Sequence, residues 1–241
     1  MSSRLANLTA YKGFHNVGKI ETKAGVLAPM YPDIAGFLSN PKRLRAVVRE
    51  MTRSVRRWKP DVIAAPAVRG ILLGLPVALA LKRNFVFIRP EPKSLHLKKV
   101  VEGEFTRGQR VVIVDDGLST ADTKKYVVLA LRNAGLEVVG MAVLLDAWQG
   151  TQSKILQRKR AWLWKQKFPV QVLVGWADCI RTAKRKKFFS PAFADLMLKY
   201  LQDPYQWVRQ PRNWSKLYAL ASKEPSAVLH QSFHKLTSAR Q

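Results

Sequence analysis

Val111-Val112-Ile113-Val114-Asp115-Asp116-Gly117-Leu118-Ser119-Thr120-Ala121-Asp122-Thr123 joins four consecutive β-branched residues to a carboxylate pair and a hydroxyl-rich turn. An apolar run this short and without alternation suits a strand buried on both faces, as in a parallel sheet. From Thr123 to Asn133 the spacing is helical. A loop that leaves the carboxyl end of a parallel strand and enters a helix aims backbone N–H groups at an anion, while its carboxylates can hold sugar hydroxyls.

Short apolar runs alternate with helical stretches on both sides of this segment. Asp61 to Ala65, Asn84 to Ile88, Glu137 to Leu145 and Pro169 to Val174 read as strands; Gly70 to Lys82 and Ser153 to Lys165 read as helices. Such alternation predicts an α/β protein, a parallel sheet with flanking helices. A further helix starts at Asn40, a good N-cap, with Pro41 in its first position and Leu44, Val47, Val48, Met51 and Val55 at helical spacing. Arg89 to Gly108 is too long for a simple connector and too charged for core, the pattern of a functional loop. No internal repeat is found.

The central motif resembles the phosphoribosyl-diphosphate motif of type I phosphoribosyltransferases. Its neighbours sharpen the likeness toward orotate phosphoribosyltransferase: Lys19 to Gly25 followed by Pro29 to Asp33, the Glu102-Gly103-Glu104 turn, and Pro169-Val170-Gln171 followed by Ala177-Asp178. The resemblance spans about Gly18 to Ile180, so a phosphoribosyltransferase-like domain is expected over 1–180 and a basic, mainly helical extension over 181–241. It implies that Asp115 and Asp116 are ribose-hydroxyl ligands and that Ser119, Thr120 and Thr123 cradle the 5′-phosphate. It makes Pro66 to Gly70, with Arg69 and Gly70, the diphosphate loop. Lys23 would face the base, and Lys93 would be the mobile-loop lysine, commonly reaching the partner subunit's site. A homodimer follows if the family interface is kept.

Several positions depart from the family pattern. Ala121 and Asp122 stand where it has glycines, and Asp122 puts a carboxylate where a dianion would sit; as an N-cap, the same residue could stand in for the phosphate. Repulsion between such charges amounts to several kcal/mol at an effective dielectric of about 20. Leu95, His96 and Pro90 replace loop residues of the family, and Ala147 stands in place of an arginine that grips the orotate carboxylate. Losing that bidentate contact costs about 2 to 4 kcal/mol. Together these changes predict a fold that has lost its reaction.

Charge points the same way. The chain of 241 residues carries 42 Lys and Arg against 16 Asp and Glu, a net +26. Such a balance predicts a polyanionic partner. Lys42, Arg45, Arg49, Arg53 and Arg56 recur along one helix edge; Arg158, Lys159 and Arg160 follow later; Arg181, Lys184, Arg185, Lys186 and Lys187 precede Phe188-Phe189. Cations beside aromatics suit phosphate neutralisation and base stacking; a solvated helix face, a nuclear localisation signal or acidic-membrane contact are the other readings. The longest uninterrupted apolar run, Gly70 to Leu81, is too short to span a bilayer, so membrane insertion is not expected. One cysteine and four scattered histidines predict neither a disulfide framework nor a metal site.

The leading expectation is thus a catalytically degenerate phosphoribosyltransferase-fold pseudoenzyme. It would serve as a basic RNA-binding structural subunit of a large ribonucleoprotein, a mitochondrial ribosome above all, with ribosomal RNA and neighbouring proteins as partners and no cofactor. Its mitochondrial part rests on an N-terminus without acids before Glu21. The alternative is an active, magnesium-dependent transferase that uses phosphoribosyl diphosphate and orotate or another base. A third reading keeps nucleotide binding without turnover in a nucleic-acid regulator.

Overall fold

The computed structural model describes residues 2–10, 13–22, 27–90, 100–224 and 228–229. In chain order they form α1 (Ser2–Thr9), β1 (His15–Glu21), β2 (Leu27–Pro32), α2 (Ile34–Leu38), α3 (Pro41–Arg56), β3 (Val62–Pro66), α4 (Ile71–Leu81), β4 (Asn84–Ile88) and β5 (Val101–Glu102). There follow β6 (Arg110–Leu118), α5 (Asp122–Asn133), β7 (Glu137–Asp146), α6 (Lys154–Trp164), β8 (Val170–Gly175) and α7 (Trp176–Arg185). The last elements are α8 (Pro191–Gln202), α9 (Pro204–Val208), α10 (Pro211–Ala221) and β9 (Val228–Leu229). The chain divides into two compact units, one of 40–146 and 158–173, the other of 1–39, 147–157 and 174–241.

The first of these units holds a sheet in the order β5-β4-β3-β6-β7-β8. β3 runs parallel to β4 and to β6, β6 runs parallel to β7, and β5 adds to β4 in the antiparallel sense. Val62 to Ala65, Val111 to Val114 and Met141 to Val143 are fully buried, which is why these strands carry no polar alternation. α3 begins as expected, with the Asn40 side chain accepting from the N–H groups of Lys42 and Arg43. α4 lies close on the sheet at Gly74, where a Cβ would stand 2.6 Å from that of Ala65. The turn after β5 is fixed by Gly103, whose φ of +122° is open to glycine.

The second unit contains the sheet β2-β1-β9 and the helices α1, α2 and α7 to α10. Ile180, the expected end of the family-like part, lies within α7. The extension is helical. Phe193, Leu196, Met197 and Leu201 are buried along α8, whose N-cap Ser190 gives its N–H and its hydroxyl to the buried carboxylate of Glu224. Phe189 is buried against His15 and Phe193, so it packs the core and presents no face to a nucleic-acid base.

Candidate active site

β6 outruns the strand expected from Arg110 to Val114 and continues through both carboxylates to Leu118, with Asp115 opposite Val143 and Leu118 opposite Asp146 on β7. The turn Ser119–Ala121 then leads into α5. Ala121 has φ +71°, a left-handed conformation in which an alanine stands where the resemblance implies glycine. Ala121 is also the cap position of α5 and supplies no side-chain acceptor, so the N-cap role expected of Asp122 is not the one observed. Asp122 is instead the first helical residue, and its Oδ2 accepts the Thr120 hydroxyl at 2.6 Å. Ser119, Asp122 and Thr123 are exposed, while Thr120 is buried.

The carboxylate pair is buried and surrounded by cations. Lys124 Nζ donates to Asp115 Oδ2, and the backbone N–H of Asp116 donates to Asp115 Oδ1 at 2.8 Å. Arg69 Nε lies 3.1 Å from Asp116 Oδ2. Gly70 completes the enclosure: a Cβ there would fall 2.7 Å from the Pro66 carbonyl oxygen and 2.9 Å from Asp115 Oδ1, so the loop after β3 can close on the carboxylate only with glycine at this position. Burial pushes the Asp116 carboxyl up to about 6, the Asp115 charge pushes the same way, and Arg69 and Lys124 oppose them.

The structure thus brings Arg69, Gly70, Asp115, Asp116, Thr120 and Asp122 together at the carboxyl end of β6 and the start of α5. Lys93 and Lys23 lie outside the described residues. Sequence reading missed Lys124. Its signal was present, because Lys124, Val127, Val128 and Leu131 share the inward face of α5 at helical spacing, and a lysine on an apolar face calls for a buried partner.

Of the cations expected to meet RNA, Lys42, Arg45, Arg49, Arg53 and Arg56 are exposed along α3, as are Arg158 and Lys159 on α6. Arg160 is not available: it is 5% exposed and bound to Asp146. Its place on the inward face of α6 decides this. Arg181 pairs with Asp178 at 2.9 Å and Lys184 with Asp195 at 2.7 Å, while Arg185, Lys186 and Lys187 are exposed.

Among the described residues no group of three His, Cys, Asp or Glu side chains could hold a metal ion. Asp116 Oδ2 is a buried acceptor that receives no hydrogen bond, three residues before the turn that leads into the N-terminus of α5.

Residues 35–172 match the phosphoribosyl transferase domain. The orotate phosphoribosyltransferase of Bacteroides thetaiotaomicron is 38% identical over 186 residues, 76% of this chain and 84% of that one, and the Bacteroides fragilis enzyme is 30% identical over the same shares. Among solved structures, the UMP synthase of Leishmania donovani superposes with a TM-score of 0.70 at 26% identity, over 85% of this chain and 42% of that longer one. The Mycobacterium tuberculosis orotate phosphoribosyltransferase in complex with phosphoribosyl diphosphate shares the fold at 21% identity, with a TM-score of 0.56.

These relatives overturn the expectation of a degenerate, RNA-binding subunit of a ribonucleoprotein or mitochondrial ribosome. The two Bacteroides relatives are named as orotate phosphoribosyltransferases and the Leishmania structure as a UMP synthase, and nothing in the likeness points to a ribosomal role. The excess of cations misled the sequence reading because net charge reports on solubility and nonspecific attraction, and not on what a site does. With the domain matched over more than half of its length, and with relatives at this identity, the chain belongs to the type I phosphoribosyltransferase family and is similar to its orotate phosphoribosyltransferases.

Proposed function

We propose that the protein is an active transferase that moves the phosphoribosyl group from phosphoribosyl diphosphate to a nitrogenous base, orotate first among them. The observation that carries this reading is the Asp115–Asp116 pair held between Arg69 and the start of α5. In the reaction a base nitrogen bonds to C1′ as the bond from C1′ to the diphosphate oxygen breaks. Diphosphate leaves with the electron pair, and the base gives up a proton to solvent. Asp116 would hold the ribose hydroxyls, Arg69 and the loop ending at Gly70 would hold the departing diphosphate, and the N–H groups of the turn before α5 would meet the 5′-phosphate. Magnesium, when bound with the substrate, neutralises diphosphate charge and eases its departure.

Incubating the full chain with phosphoribosyl diphosphate, magnesium and one base at a time tests this. Orotate is accompanied by uncarboxylated pyrimidines and purines, because Ala147 replaces the carboxylate-gripping arginine that the resemblance implies. Diphosphate release together with a chromatographically identified nucleotide is the expected result. No turnover with any base, at protein concentrations that bind phosphoribosyl diphosphate, overturns it.

A further inference from the structure

Lys124 occupies a position that neither its helix nor its core favours. It is the third residue of α5, close to the positive end of the helix dipole, and it is 5% exposed. A buried ammonium there is tolerated only with a carboxylate against it, and well-packed apolar residues commonly replace such a pair without loss of stability. Packing alone therefore does not call for Lys124.

We infer that Lys124 is a positioning residue that takes Asp115 out of substrate contact and leaves Asp116 as the carboxylate that receives the sugar hydroxyls. The inference rests on the transferase reading above. Both Asp115 oxygens are already engaged by protein donors, Oδ2 by Lys124 Nζ and Oδ1 by the Asp116 N–H. The Gly70 backbone also stands against Asp115 Oδ1. Asp116 Oδ2 accepts no hydrogen bond, and its cation Arg69 has a side chain 47% exposed, so the guanidinium can turn toward an incoming anion. The two neighbours thus divide the work: Asp115 fixes the end of β6 to α5, and Asp116 meets ligand. The charged groups facing the pair are Arg69 from the loop before α4 and Lys124 from α5; on the adjacent strand β7, Asp146 is bound to Arg160.

Two readouts on the full chain test this: carboxyl-carbon NMR titration of aspartate-labelled protein, and calorimetric binding of phosphoribosyl diphosphate with magnesium. The chains compared are wild type, Lys124→Met and Lys124→Met/Asp115→Asn. In Lys124→Met the Asp115 charge is left uncompensated beside Asp116, so the Asp116 titration moves up by about one pH unit or more and affinity at pH 7 falls about tenfold. Adding Asp115→Asn returns the Asp116 titration toward its wild-type position and recovers most of the affinity. A double variant as weak as Lys124→Met, with Asp116 titrating normally, would place Asp115 on the substrate and overturn the inference. So would a titration that does not move in Lys124→Met. Failure of wild type to bind phosphoribosyl diphosphate counts against the transferase reading instead, and the carboxyl titrations then still show whether Lys124 sets the charge of the pair.

Discussion

Thr120 donates its hydroxyl to Asp122 at 2.6 Å across the left-handed Ala121, so the turn between β6 and α5 is closed on itself by its own side chains. A phosphate entering this turn needs the same hydroxyl and the first N–H groups of the helix, and it meets a carboxylate already there. Two like charges about 4 Å apart repel by about 1 kcal/mol in water and about 4 kcal/mol near a protein surface. If this turn takes the 5′-phosphate as proposed, Asp122 weakens that subsite, while its charge suits the helix dipole.

Asp122→Gly releases Thr120, removes the charge and lets backbone approach the phosphate. Affinity for ribose 5-phosphate, measured by calorimetry, is expected to rise about tenfold to a hundredfold, with the larger gain at low salt. Unchanged affinity would mean that Asp122 swings clear of the ligand.

Burial, with the Asp115 charge beside it, pushes the Asp116 carboxyl up from its ordinary 3.8 to about 6. Its folded-state pKa is raised, so the penalty for burying the charge is absent below the unfolded value and is in full force above about 6. Asp116→Asn should thus stabilise the protein at pH 8 by up to about 3 kcal/mol and have little effect at pH 3.5. Denaturant unfolding at the two pH values checks this, and an equal effect at both would show that Asp116 is not the group responsible.

His15 shows the opposite sign. Burial holds its imidazole down at about 3, and its Nδ1 accepts the Trp176 indole N–H at 3.4 Å. A lowered folded pKa gives stability that is present above the ordinary 6.5 and is lost as pH falls toward 3. His15→Phe is expected to flatten the acid side of the thermal-stability profile between these values, and a profile as steep as wild type would assign acid sensitivity elsewhere.

Arg160 and Asp146 form a buried pair in which each charge depends on the other. Arg160→Met alone should cost about 3 to 5 kcal/mol, and Arg160→Met combined with Asp146→Leu should recover much of that loss. Unfolding midpoints of the two variants decide it. If the single change proves mild, water or another group reaches Asp146.

The fold was legible where residue chemistry repeats along the chain. Val111 to Val114 named a doubly buried strand, Asn40-Pro41 named the start of α3, and the alternation of apolar runs named the parallel sheet. Charge was legible as an amount and misleading as a function, because the sequence does not show which cations point inward. Arg158, Lys159 and Arg160 are consecutive, yet the helix turns the third of them into an ion pair and leaves the first two in water.

Local spacing and residue type placed a strand before the two carboxylates and a helix after them, since those depend on interactions between near neighbours; the run of β6 on to Leu118 and the capping of α5 at Ala121 appear only in the folded chain. Tertiary structure alone decided what each carboxylate touches. Arg69 and Asp116 are brought to 3.1 Å by the pairing of β3 with β6, and Lys124 reaches Asp115 because α5 folds back along the sheet. Coulomb energy and desolvation depend on distance and burial, which exist only once strands distant in sequence lie side by side.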